Sequence, residues 1–178
     1  MIDVENSLFL VIDVQEKLVK MLGETNLVKN VSTLMKTCEL LNVDCIVTEQ
    51  YPKGLGETIS ELKNANLNAK YFEKVDFSAM RSEEITSEIQ SKNKKQIFLC
   101  GIESHICVLQ TAQDLINKGY EVFLVEDACG SRKELDYQSA LNYARQIGIK
   151  ILTTEMVVFS LLKTSKNEKF KEIQALIK

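Results

Sequence analysis

Six short segments of this chain are apolar or β-branched through most of their length, and the intervals between most of them are long and amphipathic enough for helices. The segments are LFLVID (8–13), VDCIVTE (43–49), AKYFEK (69–74), QIFLCG (96–101), YEVFLVED (120–127) and IKILTTE (149–155). A continuous apolar run, as opposed to strict alternation, marks a strand covered on both faces, the condition of a parallel strand lying beneath helices. The helical intervals are 26–41, 82–91, 107–118 and 133–147; in the first, Leu27, Val31, Leu34, Cys38 and Leu41 fall on one stripe. The expected fold is a three-layer α/β/α sandwich around a doubly wound, mainly parallel six-stranded sheet of Rossmann-like type. A length of 178 residues with 45% hydrophobic residues suits one core, hence a single domain over 1–178.

Such sheets place ligands in the crevice beyond the carboxyl ends of their strands. Asp13 closes the first run, Glu49 the second and Lys74 the third, and Cys107 follows the fourth. The stretch QIFLCGIESHICVLQTAQDLINKG (96–119) reads as strand, glycine-opened turn and helix, with Cys107 where turn becomes helix. A helix start carries partial positive charge and unsatisfied N–H donors, which would draw the thiol toward thiolate and receive a developing oxyanion. The competing reading is burial, because free cysteine is among the most buried residue types. Cys38, Cys45 and Cys100 are read as buried reduced thiols, and no C-x-x-C pair occurs among the five cysteines. Cys129, in DACGSR, is the other thiol open to exposure, with a resolving role toward Cys107 as one option. The only histidine, His105, lies two residues from Cys107, and side chains two apart do not face each other on a helix. The base would then be a partly buried carboxylate, Asp13, with Lys74 offsetting its charge and that of the thiolate.

Several classes are excluded on composition. Net charge is −3 and the 22 Lys and Arg residues are scattered, so nucleic acid is not expected as a partner. No run of eighteen apolar residues occurs, and acidic residues precede the first apolar stretch where a signal peptide has basic ones. No membrane association is expected, and the location expected is cytoplasmic. One histidine cannot build a two-His-one-carboxylate site, and the cysteine spacing gives no zinc site; no metal and no cofactor are expected.

At these residues the chain resembles the isochorismatase-like cysteine hydrolases along nearly its whole length. The resemblance rests on LFLVIDVQ (8–15) with Asp13, YFEKVDFSAM (71–80) with Lys74, CGIESHICVLQTAQDL (100–115) with Cys107, and VEDACGSR (125–132) followed by a helix. TEQYPKGLG (48–56) is similar to the small isochorismatase-domain proteins. The resemblance implies that Cys107 attacks a carbonyl carbon, that Asp13 takes its proton and passes it to the leaving group, and that Lys74 stabilises the charged site, through a thioester that water hydrolyses. It further implies a non-proline cis peptide at Ile102–Glu103 and an oxyanion hole made by the N–H groups of Glu103 and Cys107.

True isochorismatases resemble the chain but lack this cysteine, so Cys107 favours amide or imide hydrolysis of a small molecule. Nicotinamidases resemble it too, yet they hold a metal through an Asp and two His near the second strand, where this chain has no His; a metal-independent enzyme is expected. Gln15, Glu49, Tyr51 and Phe77 are candidate substrate contacts, although Gln15 equally suits a cap on the following helix and Phe77 a hydrophobic staple beneath Ser82. MVVFSLL (156–162) reads as a core helix in preference to an interface; since members of the family are commonly oligomeric, a homo-oligomer is expected. The alternative class is a catalytically silent or redox-responsive protein that binds a small ligand or partner through the same pocket.

Overall fold

The computed structural model describes residues 1–178. Its strands are β1 (Ser7–Ile12), β2 (Asp44–Gln50), β3 (Lys70–Lys74), β4 (Gln96–Ile102), β5 (Glu121–Gly130) and β6 (Lys150–Leu152), in one sheet of order β3-β2-β1-β4-β5-β6 with every pairing parallel. The helices are α1 (Glu16–Lys20), α2 (Leu27–Leu41), α3 (Pro52–Leu55), α4 (Ser60–Lys63), α5 (Glu83–Ser91), α6 (Leu109–Asn117), α7 (Glu134–Gln146), α8 (Thr154–Leu162) and α9 (Phe170–Ile177). They flank the sheet, completing the three-layer α/β/α arrangement that the alternating pattern requires. No helix is long and apolar enough to cross a membrane.

The apolar runs map onto burial as the pattern dictates. Every residue of β1 and of β4, the two central strands, is buried, whereas edge strand β3 buries only Lys74 completely. Phe9, Phe98 and Phe123 stand in register on β1, β4 and β5 and stack face to face, with ring centroids 4.8 and 4.6 Å apart. This ladder ties β5 to β1 and β4, the two strands that flank the switch point, since stacked aromatics add to the burial term. The chain order reverses between β1 and β4, which is the switch point where the crevice opens.

Two expectations about the elements need correction. The sixth run was expected to be strand through 155, but β6 stops at Leu152. The threonines start a helix instead: Thr153 Oγ1 accepts from Met156 N, while Thr154 donates both its N–H and its hydroxyl to Asp127 Oδ1. Capping by Thr wins over its strand preference. MVVFSLL accordingly lies in α8, with Val157, Val158, Leu161 and Leu162 buried, as a core helix should. The helix expected to begin at Cys107 begins three residues earlier, in a widened π-helical turn over Ser104–Val108 that runs on into α6.

Candidate active site

Asp13 sits one residue past β1, in a left-handed conformation (φ 53°) that Asp tolerates better than most residues. Its backbone N–H donates to Thr48 O (3.1 Å), and its carbonyl accepts from Gln15 N (2.8 Å). Both carboxylate oxygens are engaged: Oδ1 accepts from Thr48 Oγ1 at 2.6 Å and Oδ2 from Lys74 Nζ at 2.7 Å. The Asp13 and Lys74 side chains are wholly buried. An ion pair withdrawn from water this completely needs further hydrogen bonds to offset desolvation, and Lys74 has them. Its ammonium also meets Gln50 Oε1 (2.7 Å), Asp76 O (3.2 Å) and Phe77 O (3.1 Å). The 76–79 loop that supplies those carbonyls is pinned to α6 by Ser78 Oγ on Asp114 and by Ala79 N on Thr111 Oγ1.

Cys107 joins this cluster from the other side of the switch point, in the turn that follows β4. The turn is set by a cis peptide between Ile102 and Glu103 and by Glu103 O, which accepts from Ile106 N and Val108 N. The Glu103 N–H donates to no protein group. Gly101 makes the approach possible: its φ of +124° favours glycine, and a Cβ there would stand 2.0 Å from Ile12 O, inside β1 backbone.

The thiol does not behave as the helix-start argument expected. Cys107 is pushed up to about 12, chiefly by burial and then by the charge of Asp13, with Lys74 pulling the other way. Both partners also act on it through hydrogen bonding. The correction follows from placement: Cys107 lies inside the first turn, not at its open end, and it is only 7% exposed. Desolvation of a thiolate outweighs the helix dipole there.

The other expected residues divide. His105 faces away, with Nδ1 2.9 Å from Ser131 Oγ and Nε2 3.8 Å from Asp136. Gln15 stands at the N-cap position of α1, yet its side chain makes no capping hydrogen bond. Wholly buried, it gives its amide N–H groups to Gln50 O and Gly56 O and accepts from Gln50 N, tying the β2 end to the following loop. Glu49 is held by Thr58 N at 2.7 Å. Tyr51, Lys53, Glu73, Lys74, Val75 and Asp76 help line a cavity of about 410 Å³ beside the cluster, which touches Lys74 but neither Asp13 nor Cys107. Phe77 supplies its carbonyl, while its ring is 54% exposed and makes no staple beneath Ser82. Cys129 donates weakly to Leu99 O, and the thiol it acts on electrostatically is Cys100, not Cys107.

Thr48 and Gln50 are site residues that pattern reading passed over. They lie on β2, between the strands of Asp13 and Lys74, so a Lys reaching from β3 to β1 must cross their side chains. The register pairs Ile12 with Thr48 and Gln50 with Lys74, and that adjacency was the signal available.

Residues 7–156 match the Isochorismatase domain family. The chain is 42% identical over 175 residues to isochorismatase domain-containing protein 2 of Danio rerio, covering 97% of this chain and 87% of that protein. Among solved structures, the MAR1 ribonuclease of Caenorhabditis elegans superposes with a TM-score of 0.92 at 37% identity, covering 99% of this chain and 91% of that one. The Escherichia coli YcaC product, described as an octameric hydrolase of unknown specificity, gives 0.93 at 25% identity, covering 99% and 88%.

Proposed function

Since this chain belongs to the isochorismatase family, a family of hydrolases, we propose that it is a metal-independent cysteine hydrolase of small amides or imides, with its single domain spanning 1–178. The observation that carries this reading is the placement of one thiol against a buried, fully hydrogen-bonded carboxylate–ammonium pair. Cys107 Sγ attacks the carbonyl carbon while its proton passes to Asp13, and the C=O π pair moves onto oxygen. The N–H groups of Glu103 and Cys107 receive that oxyanion. Collapse breaks the C–N bond, with Asp13 returning the proton to nitrogen, and leaves a thioester. Water then attacks the thioester carbon while Asp13 takes its proton; collapse breaks the C–S bond, Asp13 returns the proton to sulfur, the acid leaves and the Cys107 thiol is restored.

The raised thiol fits this sequence. A Cys107 that stays protonated until a carbonyl arrives needs an adjacent base, and Asp13 is the carboxylate acting on it. Lys74 orients the Asp13 carboxylate, a role consistent with its own contacts to fixed backbone carbonyls. The donor set near β2 argues for metal independence: Glu49 is committed to Thr58, and no imidazole stands beside it. Five free thiols suit a reducing, cytoplasmic compartment, and the octameric E. coli relative supports a homo-oligomer. Cys107→Ala should abolish turnover across a small-amide panel with the fold intact; full activity in that variant would refute the proposal.

A ribonuclease reading has in its favour the names of similar solved structures, the C. elegans MAR1 ribonuclease and MAR1 ribonucleases named for Leishmania major and Leishmania donovani. The net charge of −3 opposes it, because RNA binding rests on phosphate neutralisation. RNA degradation that survives rigorous purification and vanishes in Cys107→Ala would establish that reading.

A further inference from the structure

The proposed chemistry leaves the chain's single imidazole unused, and its two nitrogens face a hydroxyl and a carboxylate. His105 Nδ1 lies 2.9 Å from Ser131 Oγ, and Nε2 lies 3.8 Å from Asp136 Oδ2. Gly130 pairs in register with Ile102, so the residue that follows β5 comes beside the π-helical turn that follows β4, and the first turn of α7 brings Asp136 to the same place. The carboxylate favours the tautomer with its proton on Nε2, which leaves the Nδ1 lone pair to accept from the Ser131 hydroxyl. A hydroxyl set on a base that a third group orients is the arrangement of an activated nucleophile. The 3.8 Å separation is a charge contact, of the kind that tightens when substrate is bound. None of the three side chains bonds to Cys107, Asp13 or Lys74.

Ser131 also opens onto a cavity of its own, about 570 Å³ in volume and separate from the one beside Lys74. Glu24, Glu126, Asp127, Glu134 and Tyr137 help line it, and no lysine or arginine does. Of those four carboxylates only Glu126 has a cationic partner, Arg145 at 3.1 Å. Uncompensated negative charge around a void with an aromatic wall suits a small organic cation. Donors for an oxyanion are at hand as well. The N–H groups of Glu134, Leu135 and Asp136 open α7 without a protein acceptor, and its N-cap Lys133 supplies no side-chain cap.

We propose that Ser131 and His105, with Asp136 as a positioning residue, form a second hydrolytic centre that cleaves small esters carrying a positive charge. Ser131 Oγ attacks the ester carbon while its proton passes to His105 Nδ1, and the C=O π pair moves onto oxygen. Collapse breaks the bond to the alcohol oxygen, which takes the proton from Nδ1 and leaves an acyl group on Ser131. Water then attacks that carbon and gives its proton to Nδ1; the C–Oγ bond breaks, the proton returns to Ser131 and the acid departs. An alkoxide leaves more readily than an amide nitrogen, which sets esters as the class. A His105 that only ties α7 to the turn would keep the same contacts and leave Ser131 inert, which separates the two roles.

The test uses the full chain carrying Cys107→Ala, so that the thiol contributes nothing. A biotinylated fluorophosphonate, which phosphonylates activated serines, should label Ser131 by peptide mass spectrometry. Acetylcholine and 3,3-dimethylbutyl acetate differ only in a quaternary nitrogen replaced by carbon. The cationic ester should be turned over with a kcat/KM about tenfold or more above its neutral counterpart. Ser131→Ala and His105→Gln should each lower that turnover by roughly 10³-fold or more, with thermal unfolding unchanged. Asp136→Asn should lower kcat by about tenfold or more and keep KM, and Asp136→Glu should restore part of it. A Ser131 that the fluorophosphonate does not label, or ester turnover that survives Ser131→Ala, overturns the second centre. Equal turnover of the two acetates overturns its cationic substrate class. The thiol reading stands or falls separately, since the protein tested carries no Cys107.

Discussion

Cys107 and Cys129 are close to a controlled comparison. They lie near the carboxyl ends of adjacent strands, Cys107 in the turn after β4 and Cys129 within β5; each is 7% exposed, and burial pushes each thiol up to about 12. What surrounds them differs. Cys129 lies 3.9 Å from Leu99 O; a hydrogen bond with the Gly101 backbone lowers its value, while its charged neighbours Asp127 and Glu126 raise it. Cys107 faces a carboxylate, Asp13, that raises it and an ammonium, Lys74, that lowers its cost of ionisation; in the proposed reaction that carboxylate takes the thiol's proton. Exposure and acidity alone would rank the two equally; the distinction lies in where the proton can go.

The sharpest way to break this comparison is to remove each sulfur in turn. Cys107→Ala should reduce amide turnover by roughly 10⁴-fold or more, as losing a covalent nucleophile does, and Cys129→Ala should leave it within about twofold. Next comes Asp13→Asn, which keeps the shape but removes both the base and the partner of a buried ammonium. Turnover should fall by roughly 10³-fold or more, in line with losing a member of a catalytic unit. Unfolding should become easier by about 3–5 kcal/mol, the usual effect of orphaning one half of a buried pair. The double variant Asp13→Asn/Lys74→Met should recover much of that stability in a denaturant titration and none of the activity.

Smaller effects test the support around the pair. Thr48→Val preserves side-chain shape and removes the donor to Asp13 Oδ1. It should cost about 1–3 kcal/mol of stability and depress kcat more than KM; an unchanged kcat would mean that Thr48 only packs.

The mildest test is alkaline pH. Cys45, Cys107 and Cys129 all have folded values raised to about 12 from an ordinary value of 9.0. Because the unfolded chain loses these protons first, stability is complete below about pH 8.5 and declines as pH rises toward 12. Thermal midpoints should drop between about pH 8.5 and 10.5, and less steeply in Cys129→Ala than in wild type. A flat profile would show that the thiols are better solvated than their burial implies.

Much of this was legible in the sequence because apolar periodicity reports burial on both faces. β1 and β4 were recoverable to within a residue, and Asp13, Lys74 and Cys107 were placed together by the rule that crevices lie at carboxyl strand ends. Edge information was harder to read. Thr153 and Thr154 have strand propensity, yet Thr153 caps Met156 N and Thr154 is held by Asp127, 27 positions away, so together they start a helix. Gln15 looked like a mouth residue because its only sequence-level feature is nearness to Asp13; its role as a tie depends on Gln50 and Gly56, 35 and 41 residues distant. The acidity of Cys107 was misread for a related reason: a helix dipole is a local feature, whereas desolvation is set by everything packed around the thiol.

The most direct test is cysteine-resolved alkylation of the native protein by iodoacetamide, in wild type and Asp13→Asn side by side. If proton transfer to Asp13 is what distinguishes Cys107, it should label well ahead of Cys38, Cys45, Cys100 and Cys129 in wild type and fall back to their rate in the variant. Labelling of Cys107 no faster than Cys129, or unaffected by Asp13→Asn, would contradict the account and favour a silent ligand-binding protein.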